Sequence, residues 1–270
     1  MHDPSSLEHL SDRAEFRRRP HRPGVELYRA HIVRHAFEPH THDGFGLGAI
    51  ESGVERFRYR GADHLAPPGA LVCMNPDELH TGHAETEGGW RYRMVYVDRA
   101  AAEEVMGERD WWFADAVRMS PHEARRVTAL LDALWQAREP LAYDDLLLSL
   151  LQTFRPHARI RPASTEPAGR FAPVVDYLRE HLARRITTDE LAAVAGLSPF
   201  HFLRSFRRSY DATPQQVLMA LRLDAAKRQL AAGTAPADVA ADTGLADQAH
   251  LTRAFARRYG VTPARYQRQR

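Results

Sequence analysis

The chain of 270 residues contains one cysteine, Cys73, and one lysine, Lys227; every other cationic side chain is histidine or arginine. A single cysteine excludes an internal disulfide and fits a reducing compartment. No apolar run approaches the roughly 18 residues of a membrane helix. Met1-His2-Asp3-Pro4 has no apolar run behind a basic cluster, so no secretory signal is expected. With 44% hydrophobic and 27% charged residues, the composition excludes collagen-like and wholly disordered chains. The length suits one or two domains.

The net charge of +2 conceals an asymmetry. Residues 170–270 carry 16 Lys+Arg against 9 Asp+Glu, whereas residues 1–169 carry 21 against 26. A basic C-terminal third behind an acidic body suggests a polyanion-binding module attached to another domain.

The polar first twenty residues read as a flexible arm. Residues 21–99 read as strands: Val54–Arg60, Ala70–Met74 and Trp90–Val97 are separated by Gly61, Pro67-Pro68-Gly69, Asn75-Pro76-Asp77 and Glu87-Gly88-Gly89. Short strands at this spacing predict a sandwich or barrel. Residues 100–155 turn helical. Ser120-Pro121-His122-Glu123 starts one helix, Pro140 ends it, and Leu146, Leu147, Leu150, Leu151 and Phe154 form the apolar stripe of a second. This hairpin either packs on the strands or pairs with another subunit. Residues 156–170, with three prolines, read as a linker.

Residues 171–270 contain one helical unit twice. Ala195-Gly196-Leu197-Ser198 aligns with Thr243-Gly244-Leu245-Ala246, Arg204-Ser205-Phe206 with Arg253-Ala254-Phe255, and Thr213-Pro214 with Thr262-Pro263. Each unit is a short helix, a glycine turn and a second helix, which is a helix-turn-helix. The two are placed at 188–210 and 236–259, with a long helix from Thr213 to Leu230 between them. The second helix of such a unit fits the major groove.

Phe202, Phe206 and Tyr210 recur every four residues and should face inward, as should Leu251, Phe255 and Tyr259. That leaves Phe200, Leu203, Arg204, Gln248, Ala249, Thr252 and Arg253 as candidate base contacts, with Ala256 outward beside them. Arginine can grip guanine through its O6/N7 edge, and the apolar residues can meet thymine methyls. Ser198, Arg207, Arg208, Asp247, Arg257 and Arg258 are candidate phosphate contacts, which position without specifying. Either charge set could merely solvate a helix face, but two arginines at matched places in a duplicated unit favour DNA.

On these residues, and on the ending Phe255-Ala256-Arg257-Arg258-Tyr259-Gly260-Val261-Thr262-Pro263-Ala264-Arg265-Tyr266, the C-terminal third resembles the DNA-binding domain of the AraC/XylS family of bacterial transcription regulators. The resemblance implies a cytoplasmic, non-enzymatic, sequence-specific regulator, more often an activator. Its implied partners are double-stranded promoter DNA, RNA polymerase and a small-molecule effector. A homodimer through residues 121–155 is also expected, and no membrane association.

The N-terminal part resembles the cupin-like sensory barrel that such regulators carry. His40-Thr41-His42 resembles the first cupin motif; Gly61, five residues, then Pro67-Pro68-Gly69 resemble the second; and His80 follows. The usual glutamate is absent, with Gly46 and Leu47 in its place, and His80 is displaced. The expected fold is an all-β cupin-like barrel with a helical hairpin, followed by an all-α domain with two helix-turn-helix motifs. His40, His42, His80, Trp90, Tyr92 and Tyr96 are candidate effector contacts. His40, His42 and His80 could also hold Zn or Fe, with Glu38, Asp43, Glu78 or water completing the set, although no cofactor is required. A cupin-type metal-dependent enzyme fused to a DNA-binding domain is the alternative reading. A constitutive DNA binder whose barrel only dimerises is a third.

Overall fold

The strand-rich half starts earlier than a loose arm over residues 1–20 implies. A computed structural model describes residues 12–160, 170–210 and 212–269. Arg13–Arg18 form strand β1, antiparallel to β2 (Val25–Ile32), with Phe16 opposite Tyr28. Ala14 and Phe16 alternate with charged residues, so β1 buries one face. Two of its arginines, which look solvent-seeking in sequence, lie on aromatic rings. The Arg17 guanidinium is 4.7 Å from the Trp135 ring, and that of Arg18 is 4.4 Å from Tyr266.

The next strands are β3 (Phe37–His40), β4 (Phe45–Ser52), β5 (Glu55–Tyr59), β6 (Ala62–Ala66), β7 (Ala70–Met74), β8 (His80–Ala84) and β9 (Trp90–Val97). Helix α1 (Arg99–Met106), β10 (Trp111–Phe113), β11 (Val117–Met119), α2 (Pro121–Gln136), α3 (Pro140–Phe154) and β12 (Ala158–Ile160) complete this half. One sheet has the order β1-β2-β9-β4-β7-β11, the facing sheet β3-β8-β5-β6, and β10 pairs with β12. Residues 158–160 are therefore strand rather than linker; residues 161–169 lie outside the described residues. Ser120 precedes α2 without a side-chain cap bond, and Pro140 opens α3 rather than ending α2.

The six-stranded sheet is buried on both faces. Leu27, Leu47, Leu71, Val95 and Val97 pack against Val127, Leu131, Leu134, Leu147 and Leu150 of α2 and α3. Thus the helical hairpin covers the outer face of the barrel sheet. The opposite face, with Tyr28, Ile50, Met74, Tyr92 and Met94, meets Phe37, Phe57 and Tyr59 of the smaller sheet.

The C-terminal part comprises α4 (Ala172–Glu180), α5 (Thr188–Val194), α6 (Pro199–Tyr210), α7 (Pro214–Ala232), α8 (Pro236–Asp242), α9 (Gln248–Tyr259) and α10 (Pro263–Arg268). Gly196 and Gly244 stand at φ +63° and +70° in the two matching turns, a conformation that side-chain-bearing residues rarely adopt. Thr187 caps α5, and Thr213 forms a capping box with Gln216 at α7. Helix α7 serves two cores. Val217, Leu218 and Leu221 join Leu191, Phe202 and Phe206 of the first unit. Leu223, Ala226 and Leu230 join Leu251, Phe255 and Tyr266 of the second, and that cluster continues into the barrel through Phe16, Tyr28 and Met94.

Candidate functional site

The two units present matched surfaces. In α6, Phe202 and Phe206 are fully buried while Phe200 is 76% exposed, and Arg204, Arg207 and Arg208 face solvent. In α9, Leu251, Phe255 and Tyr259 are buried, while Gln248, Ala249, Arg253 and Arg257 are exposed. Leu203 and Thr252 are half-buried, and Ser198 and Asp247 are exposed at the helix starts. The Asp247 carboxylate accepts from the His250 N–H at 2.6 Å, capping α9.

Two sequence expectations are corrected in α9. Ala256 is buried, and Arg258 is only 4% exposed and so points away from any phosphate. Its Nη1 donates to the Ala220 carbonyl at 3.1 Å, and its Nη2 donates to Asp224 Oδ1 at 2.6 Å and to the Thr41 carbonyl. Adjacent helical residues point about 100° apart, so Arg257 can face outward while Arg258 turns inward. The helical period decides which one: Arg258 stands seven residues after Leu251 and three after Phe255, on the inner face, and Arg257 stands opposite.

Arg258 belongs to a polar seam between barrel and helices. Asp224 on α7 also accepts from Thr41 Oγ1 at 3.1 Å and from the Tyr259 hydroxyl at 2.9 Å. Burial raises the Asp224 pKa, and Arg258 opposes that rise. Glu26 on β2 accepts from Lys227 Nζ and, at 2.6 Å, from the Tyr266 hydroxyl. The Lys227 amine lies 4.8–5.6 Å from the ring centroids of Phe16, Tyr96, Tyr259 and Tyr266. At the rim, Arg257 reaches Glu38 at 3.7 Å, Arg179 reaches Asp77 at 2.9 Å, and Arg228 pairs with Asp43.

A cavity opens on this seam. The barrel contributes Phe16, Tyr28, Phe37, His40, His42, Glu55, Met74, His80, Tyr92, Met94 and Tyr96; the helices contribute Lys227, Arg258 and Tyr259. Of the expected effector contacts, His40, His42, His80, Tyr92 and Tyr96 line it. Trp90 does not: it is fully buried and stacks on Tyr92 with ring centroids 5.5 Å apart.

The three histidines come together because His40 stands opposite His80 across β3 and β8, with His42 just beyond the end of β3. Burial lowers the pKa of all three, that of His80 to about 4, so each is a neutral imidazole near pH 7. Their mutual repulsion deepens the shift for His40 and His42. Of the carboxylates expected beside them, Glu38 faces Arg257, Asp43 pairs with Arg228, and Glu78 pairs with Arg60 at 2.7 Å.

Sequence reasoning missed Glu55, Lys227 and Tyr259 as cavity residues. Glu55 had a readable signal. If Arg56, Arg58 and Arg60 share the outer face of β5, then Glu55, Phe57 and Tyr59 share the inner one. Burial pushes its carboxyl up to about 8. Lys227, on α7, comes from another domain and carries no local pattern beyond being the lone lysine.

Two family descriptions match separate parts of the chain. Residues 22–151 match the AraC-like ligand binding domain and residues 191–269 match a helix-turn-helix domain. The chain is 29% identical over 238 residues to the HTH-type transcriptional regulator YbfI of Bacillus subtilis, covering 84% of this chain and 86% of that protein. It is 24% identical over 242 residues to the HTH-type transcriptional activator RhaS of Enterobacter sp. (strain 638), covering 84% and 86%. The crystal structure of ToxT from Vibrio cholerae O395 shares the fold, with a TM-score of 0.57 at 8% identity over 96% of this chain and 98% of that one. A ligand-binding barrel and a duplicated helix-turn-helix unit, matched in this order along one chain, make it a member of the AraC family of transcription regulators.

Proposed function

We propose that the chain activates transcription when a small molecule occupies the seam cavity, acting through DNA and RNA polymerase rather than by catalysis. One observation carries the reading: the cavity wall includes residues of both domains, with Lys227, Arg258 and Tyr259 facing the barrel histidines. A ligand there touches the second helix-turn-helix unit directly, so its affinity depends on how the domains sit. That difference in affinity is what couples effector to DNA. The activator sign follows relatives such as RhaS.

The cell compartment is the cytoplasm, where promoter DNA is reached. Among the described residues, no helix is long and apolar enough to cross a membrane. Promoter binding as a homodimer would use the outer surface of α2 and α3, where Leu141 is 83% exposed. Leu141→Glu should then yield monomers in sedimentation.

DNA readout is tested with Arg204→Ala and Arg253→Ala. Each should cost about 1–3 kcal/mol on the cognate site and relax base preference at one position. Equal losses on cognate and random duplexes would make both residues phosphate contacts. The effector step is tested by a thermal-shift screen of small metabolites followed by promoter titration. A ligand that stabilises the chain yet leaves promoter affinity unchanged would refute the coupling.

A further inference from the structure

We propose that His40, His42 and His80 form a binding site for a divalent transition-metal ion of the zinc or ferrous class, with an open coordination position toward the seam cavity. The ring centroids of His40 and His80 are 4.2 Å apart, and that of His42 is 5.0 Å from each. One ring nitrogen from each residue lies within 4.8 Å of the others. Metal–nitrogen bonds of about 2.0–2.1 Å in a tetrahedron put ligand nitrogens about 3.3 Å apart, so closure needs shifts of about 1.5 Å at most. Small rotations of the rings supply that.

The hydrogen bonds of the cluster prepare it for a cation. His40 Nδ1 lies 2.7 Å from the Glu38 carbonyl, and His80 Nδ1 lies 3.0 Å from the Glu78 carbonyl. A carbonyl only accepts, so each Nδ1 carries the proton and each Nε2 keeps its lone pair. The same bond, from ring to carbonyl two residues back, is made on both facing strands. Metal-binding histidines are commonly held by such a bond from the other ring nitrogen.

The donor set also selects the metal. Three neutral nitrogens favour zinc, ferrous iron, nickel or copper over magnesium and calcium, which seek oxygen. The two nearby cations do not forbid a charged guest. Lys227 is already paired with Glu26, and Arg258 with Asp224. With only three protein ligands, a fourth position is left for water or for a donor atom of a cavity ligand.

The test uses the full chain, stripped with a chelator, titrated with Co2+ and followed by visible d–d absorption and by thermal melting. One saturable equivalent per chain is expected, displaced by Zn2+ but not by Mg2+, with a higher melting temperature when saturated. His42→Gln, at a half-buried ring, should weaken binding by more than the roughly 10–100-fold lost with an outer-shell partner. His83→Gln, at an exposed position on β8, should leave binding unchanged. A wild-type chain that melts cooperatively but shows no saturable band overturns the proposal, as does His42→Gln binding like wild type. X-ray absorption of the Zn2+-loaded wild type decides without a variant: three imidazole ligands support the site, and fewer overturn it.

Discussion

Replacing Arg258 separates two roles that residue type does not distinguish. A phosphate contact and an internal anchor are both arginine near the end of a recognition helix. In the structure, the guanidinium is buried against Asp224 at 2.6 Å and bonds the Ala220 and Thr41 carbonyls. Removing one partner of such a pair costs about 3–5 kcal/mol, because the other charge stays buried. Asp224 retains the Thr41 and Tyr259 hydroxyls, so the lower end, about 3 kcal/mol, is expected for Arg258→Met. At about 2–4 °C per kcal/mol for a chain of this size, the melting temperature falls by roughly 6–12 °C. Arg258→Met/Asp224→Asn should recover much of that loss, since no charge is then stranded. The assay pairs urea denaturation with promoter-binding titrations over a range of salt. The folded variant keeps the wild-type salt slope, whereas Arg257→Ala, at an exposed position, lowers it by about 1. An Arg258→Met chain of wild-type stability with a shallower salt slope would refute the anchor and restore the phosphate role.

Lys227→Met should cost about 2–4 kcal/mol, leaving Glu26 with only the Tyr266 hydroxyl and the more distant Arg18. A double-mutant cycle with Glu26→Gln checks this, and strict additivity would count against the pair. The Glu55 carboxyl, raised from 4.5 to about 8, stays protonated in the folded chain while the unfolded chain ionises. Stability contributed there is full below pH 4.5, falls as pH rises through the window to 8, and is flat above it. Glu55→Gln should remove that slope, which each pH unit builds by up to about 1.4 kcal/mol. Parallel urea curves of the two proteins at pH 5 and pH 8 decide it.

What could be read in advance follows how local the cause is. The helix-turn-helix units were legible because helical period, cap residues and turn glycines are local, and duplication doubles the signal. The two helices of the hairpin and the pairing of His40 with His42 were legible for the same reason. Strand β1 was not, because Arg17 and Arg18 lie on Trp135 and Tyr266, more than a hundred residues away in sequence. The inward turn of Arg258 was readable from its spacing to Leu251 and Phe255, but its partners were hidden, since Thr41 and Asp224 come from other elements. Trp90 shares its strand face with cavity residues, but at the strand's start it is walled off by Phe37 and Tyr92. Position along a strand, not only its face, decides what a side chain meets.

The buried cluster that runs from Phe16 and Tyr28 into Phe255 and Tyr266 makes the boundary near residue 170 a poor place to divide the protein. Cut there, the helical part would turn Lys227, Tyr259 and Tyr266 toward water and the barrel would lose the lid of its cavity. Receptor and reader are in this sense one folding unit with two mouths. Any molecule that fills either mouth adds its binding energy to the persistence of the whole, and each occupant can be sensed through the melting of the part it never touches.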